Sequence, residues 1–376
     1  MDLDAEPPAP QEAGEAQEAG GAQQTGGAQQ TGGAQQTGGA QQTSGAQQTG
    51  GAQQTGDAQQ TGGAQQTGGA QQTGGDVVVL AGGTGGAKLA RGMLDVVGAE
   101  RLVVIANTGD DIDIYGASVS PDPDLVSFWL ADLIDERGWG LHEDSFVVMD
   151  ALRALGHDVW FNLGDRDLAW CIERARMLQA GLRPTEALRS LCAQVGVKAR
   201  VLPMCDTPLR TFVDGDGLQE FMILRRGEGP VHEVRFEGQA PAPTTPEVQE
   251  ALARASCVIV GPSNPVISVW PILTALGEAL SAAQAPVVCV SPVVAGQIVK
   301  GPTAAFLDAY DQPLSAAGVA AFYESVAPGM LDGIVADEEL ESALPTLRIE
   351  TLMNSADARA AVAERTLAFA ESLQVG

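Results

Sequence analysis

The sequence predicts an α/β fold. Specifically, it predicts a doubly wound, mainly parallel, Rossmann-like sheet with a small antiparallel β insertion and helical additions, preceded by a disordered N-terminal repeat tail. Three observations predict this. The apolar run Val77 to Leu80 passes into Gly82-Gly83-Thr84-Gly85-Gly86 and then into an amphipathic segment, which is the pattern strand, tight loop, helix. Further short apolar runs at 102–106, 257–260 and 287–290 each end in a loop rich in hydrogen-bonding groups, as strands of a doubly covered parallel sheet do. Between Leu3 and Val77, by contrast, no aliphatic or aromatic side chain exceeds alanine.

The tail, residues 1–75, carries nine Ala-Gln-Gln-Thr copies at a period of six. With nothing to bury, it cannot offset its conformational entropy. Residues 76–376 are left for one α/β domain. The chain has 48 acidic and 21 basic residues, and seven of the acids lie in the tail. The rest is still strongly acidic, which argues against a nucleic-acid surface but not against a nucleotide met by a local site. No basic n-region, apolar h-region or membrane-length apolar run is present, so a cytoplasmic protein without a membrane partner is expected. Five cysteines form no C-x-x-C pair and three histidines are scattered, which disfavours a Cys or His metal site.

Taken in order, the glycine loop fits neither the dinucleotide fingerprint, whose third glycine would fall at Lys88, nor a Walker loop, which would need Ser or Thr at Leu89. A phosphate-binding loop of another α/β family remains, against a merely structural turn. The glycines permit positive φ and close backbone approach, and the following helix offers free N–H groups to an anion. The run 102–106 is a second strand ending in Asn107-Thr108-Gly109-Asp110-Asp111, followed by Asp113 and the acidic turn Ser120-Pro121-Asp122-Pro123-Asp124. A helix is expected over about 125–136, with Asp124 at its start. An N-cap would explain Asp124 alone. A whole cluster of carboxylates is read either as a ligand set for Mg²⁺ or Mn²⁺ or as a solvated acidic loop.

A helix over about 145–155 precedes an aromatic-rich strand, 159–163, and then Gly164-Asp165-Arg166-Asp167. Arg166 is read either as a salt-bridge partner or as a guanidinium placed for a substrate. A helix over 184–195 leads to 200–204, then to β-like runs at 209–213, 218–224 and 231–236 that form the insertion. The parallel pattern resumes at 257–260, ending in Gly261-Pro262-Ser263-Asn264-Pro265, and at 287–290, followed by the loop through Lys300-Gly301-Pro302. Two of the three lysines, Lys88 and Lys300, lie in such loops. A closing helix spans 355–373.

In this order, the glycine loop, Asn107 to Asp111, Ser120 to Asp124, Leu163 to Asp167, Gly261 to Pro265 and Ser291-Pro292 through Pro302 resemble the family of 2-phospho-L-lactate transferases of coenzyme F-420 biosynthesis, over about 77–337. The resemblance implies a deazaflavin acceptor, Fo, a GDP-linked three-carbon donor, release of GMP, dependence on Mg²⁺ or Mn²⁺, and a possible homodimer. It implies that Asp124 is catalytic, metal-binding and acceptor-facing, with Asp110 or Asp111 as metal partner, and that Arg166 binds the acceptor. The nucleotide would fall to Gly82, Gly83, Thr84, Gly85, Gly86, Lys88, Asn107, Ser263, Asn264 and Lys300. Pro123, Leu125, Trp170 and Cys171 depart from the family pattern around the acceptor. The alternatives are a nucleotide-sugar-binding regulator resembling the gluconeogenesis factors, or an inactive relative.

Overall fold

The computed structural model describes residues 74–238, 242–294, 296–298, 301–340 and 342–374. The repeat tail up to residue 73 and Lys300 lie outside the described residues. The core is a seven-stranded sheet of β1 (Asp76–Ala81), β2 (Leu102–Ala106), β3 (Arg200–Pro203), β4 (Ala255–Val260), β5 (Val287–Val290), β6 (Gly333–Ala336) and β7 (Thr346–Arg348). The spatial order is β7-β6-β5-β4-β1-β2-β3, and every pairing is parallel. All residues of β1 and β2 are buried, because both faces are covered. That is why these strands read as continuous apolar runs rather than alternating ones.

Residues of opposite parity along β1 serve two separate cores. Val77, Val79 and Ala81 pack beneath α1 (Gly83–Val97), α2 (Pro121–Leu130) and α4 (Ala356–Leu373), whereas Val78 and Leu80 pack beneath Val248, Ile272, Phe306 and Phe322 on the other face. The chain leaves β1 toward β2 and β3, then returns to lay β4 on the other side of β1. This reversal opens a crevice at the carboxyl ends of β1 and β4, where open α/β sheets bind ligands.

Several local expectations are corrected. α2 begins at Pro121 rather than 125, because proline suits the first helical position. It stops at Leu130, since Asp132 takes a φ of +54°. The run 218–224 is a helix, Leu218–Ile223, not a strand. The Glu220 carboxylate accepts the Gly217 N–H at 3.0 Å, and Leu218 and Phe221 are buried one turn apart. The antiparallel insertion therefore pairs Leu209–Val213 with Val234–Gly238 and with Asp216–Gly217. Residues 159–163 form no strand. Trp160 and Phe161 stack at 5.6 Å, and the Phe161 N–H donates to the Tyr115 hydroxyl instead of to a neighbouring strand. The remaining labelled helix, α3 (Asp165–Gln179), follows. Among the described residues no helix is long and apolar enough to cross a membrane.

Candidate active site

The glycine loop joins β1 to α1 with no side-chain cap from its own N-cap residue, Gly82. The cap comes from another element. The Gly83 N–H donates to Asp122 Oδ1 at 2.5 Å, and Gly83 takes a φ of +62°. Gly85 has a different need. A Cβ there would lie 1.9 Å from the Pro262 carbonyl oxygen, so the bare backbone lets α1 press against the loop after β4. From the sequence, these glycines are expected to supply positive φ and close backbone approach. The structure gives Gly85 to packing as well as to the cleft.

Around this loop lies a cleft of about 480 Å³, lined by residues that include Gly82, Gly83, Thr84, Gly85, Ser263 and Asn264. The Ser263 hydroxyl accepts the Gly82 N–H at 3.4 Å. Asn264 Oδ1 accepts the N–H groups of Val266 and Ile267, while its Nδ2 is buried without a partner. Lys88 also lines the cleft. Burial and the neighbouring Arg359 hold its amine below the usual lysine range.

Next to the loop stands the carboxylate cluster. Asn107 fixes Asp122 by donating Nδ2 to Oδ2 at 2.9 Å, while its own Oδ1 accepts the Gly109 N–H. Burial still pushes Asp122 up to about 6 against these hydrogen bonds. Asp110 is driven well above the ordinary range by burial and then by Asp122 and Asp111. Its Oδ2 accepts from Gln219 at 3.1 Å, and its Oδ1 is buried with no partner. Burial takes Asp111 to about 7 despite Arg210 and Ser120, and takes Asp167 to about 7 with Asp124 and Asp144 adding to the rise. Asp113 is exposed on the hairpin of Ile112–Ile114 and Ala117–Val119.

A model of the 2-phospho-L-lactate transferase CofD family matches residues 77–364. The chain belongs to this family. It is 35% identical over 297 residues to 2-phospho-L-lactate transferase of Methanospirillum hungatei, covering 77% of this chain and 97% of that one. It is 36% identical over 325 residues to phosphoenolpyruvate transferase of Kitasatospora aureofaciens, covering 80% and 99%. A solved UPF0052-family protein of Bacillus halodurans shares the fold, with a TM-score of 0.53 at 16% identity over 78% of this chain and 99% of that one.

Within this transferase, Asp124 is 3% exposed and both its oxygens are taken. Arg174 forks onto it, with Nη1 3.0 Å from Oδ2 and Nη2 on Oδ1, and Trp170 Nε1 donates to Oδ1 at 2.7 Å. Burial raises the Asp124 carboxyl, and Arg174 and Trp170 oppose that rise. Arg174 was not among the residues singled out from sequence. Its signal is the spacing of Asp167, Trp170, Cys171 and Arg174, which share one face of α3. Trp170 therefore serves as a donor to the central carboxylate.

Arg166 lies elsewhere. It is exposed, its guanidinium donates to the His142 carbonyl at 2.9 Å, and its N–H donates to Asp144. Asp165 accepts from the Ser145 hydroxyl and the N–H groups of Val147 and Val148, so it secures the start of the helix Val147–Ala154.

Proposed function

We propose that this chain transfers a phospholactyl, phosphoenolpyruvyl or related three-carbon phospho group from a GDP-linked donor to the ribityl hydroxyl of the deazaflavin Fo. GMP is released, in coenzyme F-420 biosynthesis. The observation that supports this most directly is the Gly83 to Asp122 hydrogen bond. It fastens the carboxylate cluster to the helix start that lines the nucleotide-sized cleft, so a diphosphate seated there would have the acids beside its phosphorus atoms.

The hydroxyl oxygen bonds to the distal phosphorus as the bond from that phosphorus to the GMP oxygen breaks. GMP is a good leaving group, so the demand falls on in-line positioning and on charge. The N-terminus of α1 receives the phosphate oxygens, with Ser263 and Asn264 closing the loop over the nucleotide. Asp124, whose proton affinity burial raises, takes the hydroxyl proton, and Arg174 and Trp170 hold it in place.

The chemistry of the cluster supports a divalent cation in this reading. Its donors are hard carboxylate oxygens, one of them buried without a partner, and burial with mutual repulsion pushes protons onto them. Asp110 and Asp111, with Asp122 beside them, would hold Mg²⁺ or Mn²⁺, which supplies neutralisation of diphosphate charge when bound. Among the described residues the ligand atoms of Asp124, Asp167 and Cys171 also lie within 4.8 Å of one another, but Arg174 and Trp170 already occupy both Asp124 oxygens.

The test is mass spectrometry of the protein incubated with Mg²⁺, Fo and each guanylated three-carbon donor. GMP and a phosphodiester of Fo are expected with one of them and are absent with Asp124→Asn. Nucleotide binding without product from any donor would refute the proposal.

A further inference from the structure

The cleft has a second wall, to which the chemistry above gives no role. Lys88 on α1, Trp129 on α2, Thr351, and Arg359 on α4 all line it. Trp129 and Thr351 are 8% and 3% exposed. The Trp129 indole N–H, the Thr351 hydroxyl and the Arg359 Nε are all buried without a hydrogen-bond partner. Lys88 Nζ and the Arg359 guanidinium lie 5.9 and 5.1 Å from the centroid of the same Trp129 ring. The charge that acts on Lys88 is the like-signed Arg359. The other charged groups lining the cleft stand at its rim. Glu136 is exposed, and Arg137 is paired with Asp135 and stacked on Trp139. Two cations held against one indole, beside buried donors with nothing to donate to, are costly unless an oxyanion completes them.

We infer that Lys88, Arg359 and Thr351 form a subsite for the carboxylate of the three-carbon group carried by the donor. The inference rests on the proposed function. It follows from where negative charge can go. The diphosphate is served at the glycine loop and the acid cluster, and that cluster repels any further carboxylate. The second wall carries the positive charge left unneutralised. Lys88 sits five residues along α1 from Gly83, about 7.5 Å by helical rise, so both ends of one small phospho acid can be met at once. Held this way, the donor turns its distal phosphorus toward the acids. Arg359 is then a specificity-determining residue for acidic donors.

The full-length protein tests this with three ligands: GDP, a GDP-linked 2-hydroxy acid, and its GDP-linked ethyl counterpart lacking the carboxylate. Calorimetry gives each affinity, and steady-state kinetics gives KM and kcat for the two donors. Arg359→Gln should weaken the acidic donor by about 10- to 100-fold, as loss of a charge-assisted contact does, and leave GDP and the ethyl donor within about threefold. Arg359→Lys should regain much of the loss. Thr351→Val, which removes only a hydroxyl, should weaken the acidic donor alone and does so with the packing kept. Equal weakening of all three ligands would assign Arg359 to the diphosphate and overturn the subsite, as would an unchanged acidic donor. Failure of the wild type to bind any acidic donor, while GDP binds, would instead bring down the proposed function and the subsite with it.

Discussion

Arg174→Met is the most decisive perturbation of the site's framework. The Arg174 and Asp124 side chains are 6% and 5% exposed, and the guanidinium makes two contacts to the carboxylate and one, of 2.9 Å, to the Ser118 carbonyl. Removing the cation leaves a buried carboxylate with only Trp170 and the distant Cys171 thiol as side-chain donors. Breaking a buried pair from one side costs about 3 to 5 kcal/mol. In a domain of this size that corresponds to a fall in Tm of roughly 6 to 10 °C. Differential scanning calorimetry of wild type, Arg174→Met, Asp124→Leu and the double variant closes the cycle. The double variant should be more stable than the sum of the single losses by about 3 kcal/mol. A Tm for Arg174→Met within about 2 °C of wild type, or strict additivity, would refute the claim that this pair organises the cluster.

Stability should fall as pH rises from about 4 to 7. Asp111, Asp122 and Asp167 bind protons more tightly folded than unfolded, to about 7, 6 and 7, so the native chain carries more protons across that window and the penalty is complete above it. In chelator the Tm should therefore be higher at pH 5.5 than at pH 8, and Mg²⁺ should narrow the gap, whereas a gap indifferent to Mg²⁺ would argue against a cation among these acids. Gly85→Ala forces its Cβ to 1.9 Å from the Pro262 carbonyl oxygen, and should cost about 2 kcal/mol or more and weaken GDP binding in calorimetry. Arg166→Ala should change stability by less than about 1 kcal/mol, since it removes one exposed hydrogen bond to a carbonyl. If Arg166 binds the acceptor, kinetics will show a raised KM for Fo with the Tm unchanged.

The parallel sheet was legible because its strands are buried on both faces, which writes them as unbroken apolar runs such as Val77 to Leu80. The glycine loop was legible because a strand, a cluster of glycines and a helix stand next to one another in the chain. What depended on distant partners was not. Arg174 reaches Asp124 across fifty residues, and nothing local to α3 says which carboxylate it faces. Gly85 owes its packing role to Pro262, a contact that no spacing rule encodes. The apolar content of 218–224 reads as a strand, although Glu220 stands three residues after Gly217, the spacing at which its carboxylate caps the helix Leu218–Ile223. Aromatic residues at 159–163 suggested a strand by propensity alone, which cannot supply a neighbour to pair with.

The carboxylate of Asp122 bonds at one oxygen to the backbone of the glycine loop and at the other to Asn107, at the end of β2. It therefore joins the glycine loop and the end of β2 in one bracket, so that on the proposed function a nucleotide at the loop and a cation among the acids would be coupled. Whatever factor a cation among the acids contributes to nucleotide affinity, the nucleotide must return to the cation. On that reading metal and donor would load as a coupled pair, and titrating either one in the presence of the other would measure the coupling that the bracket carries.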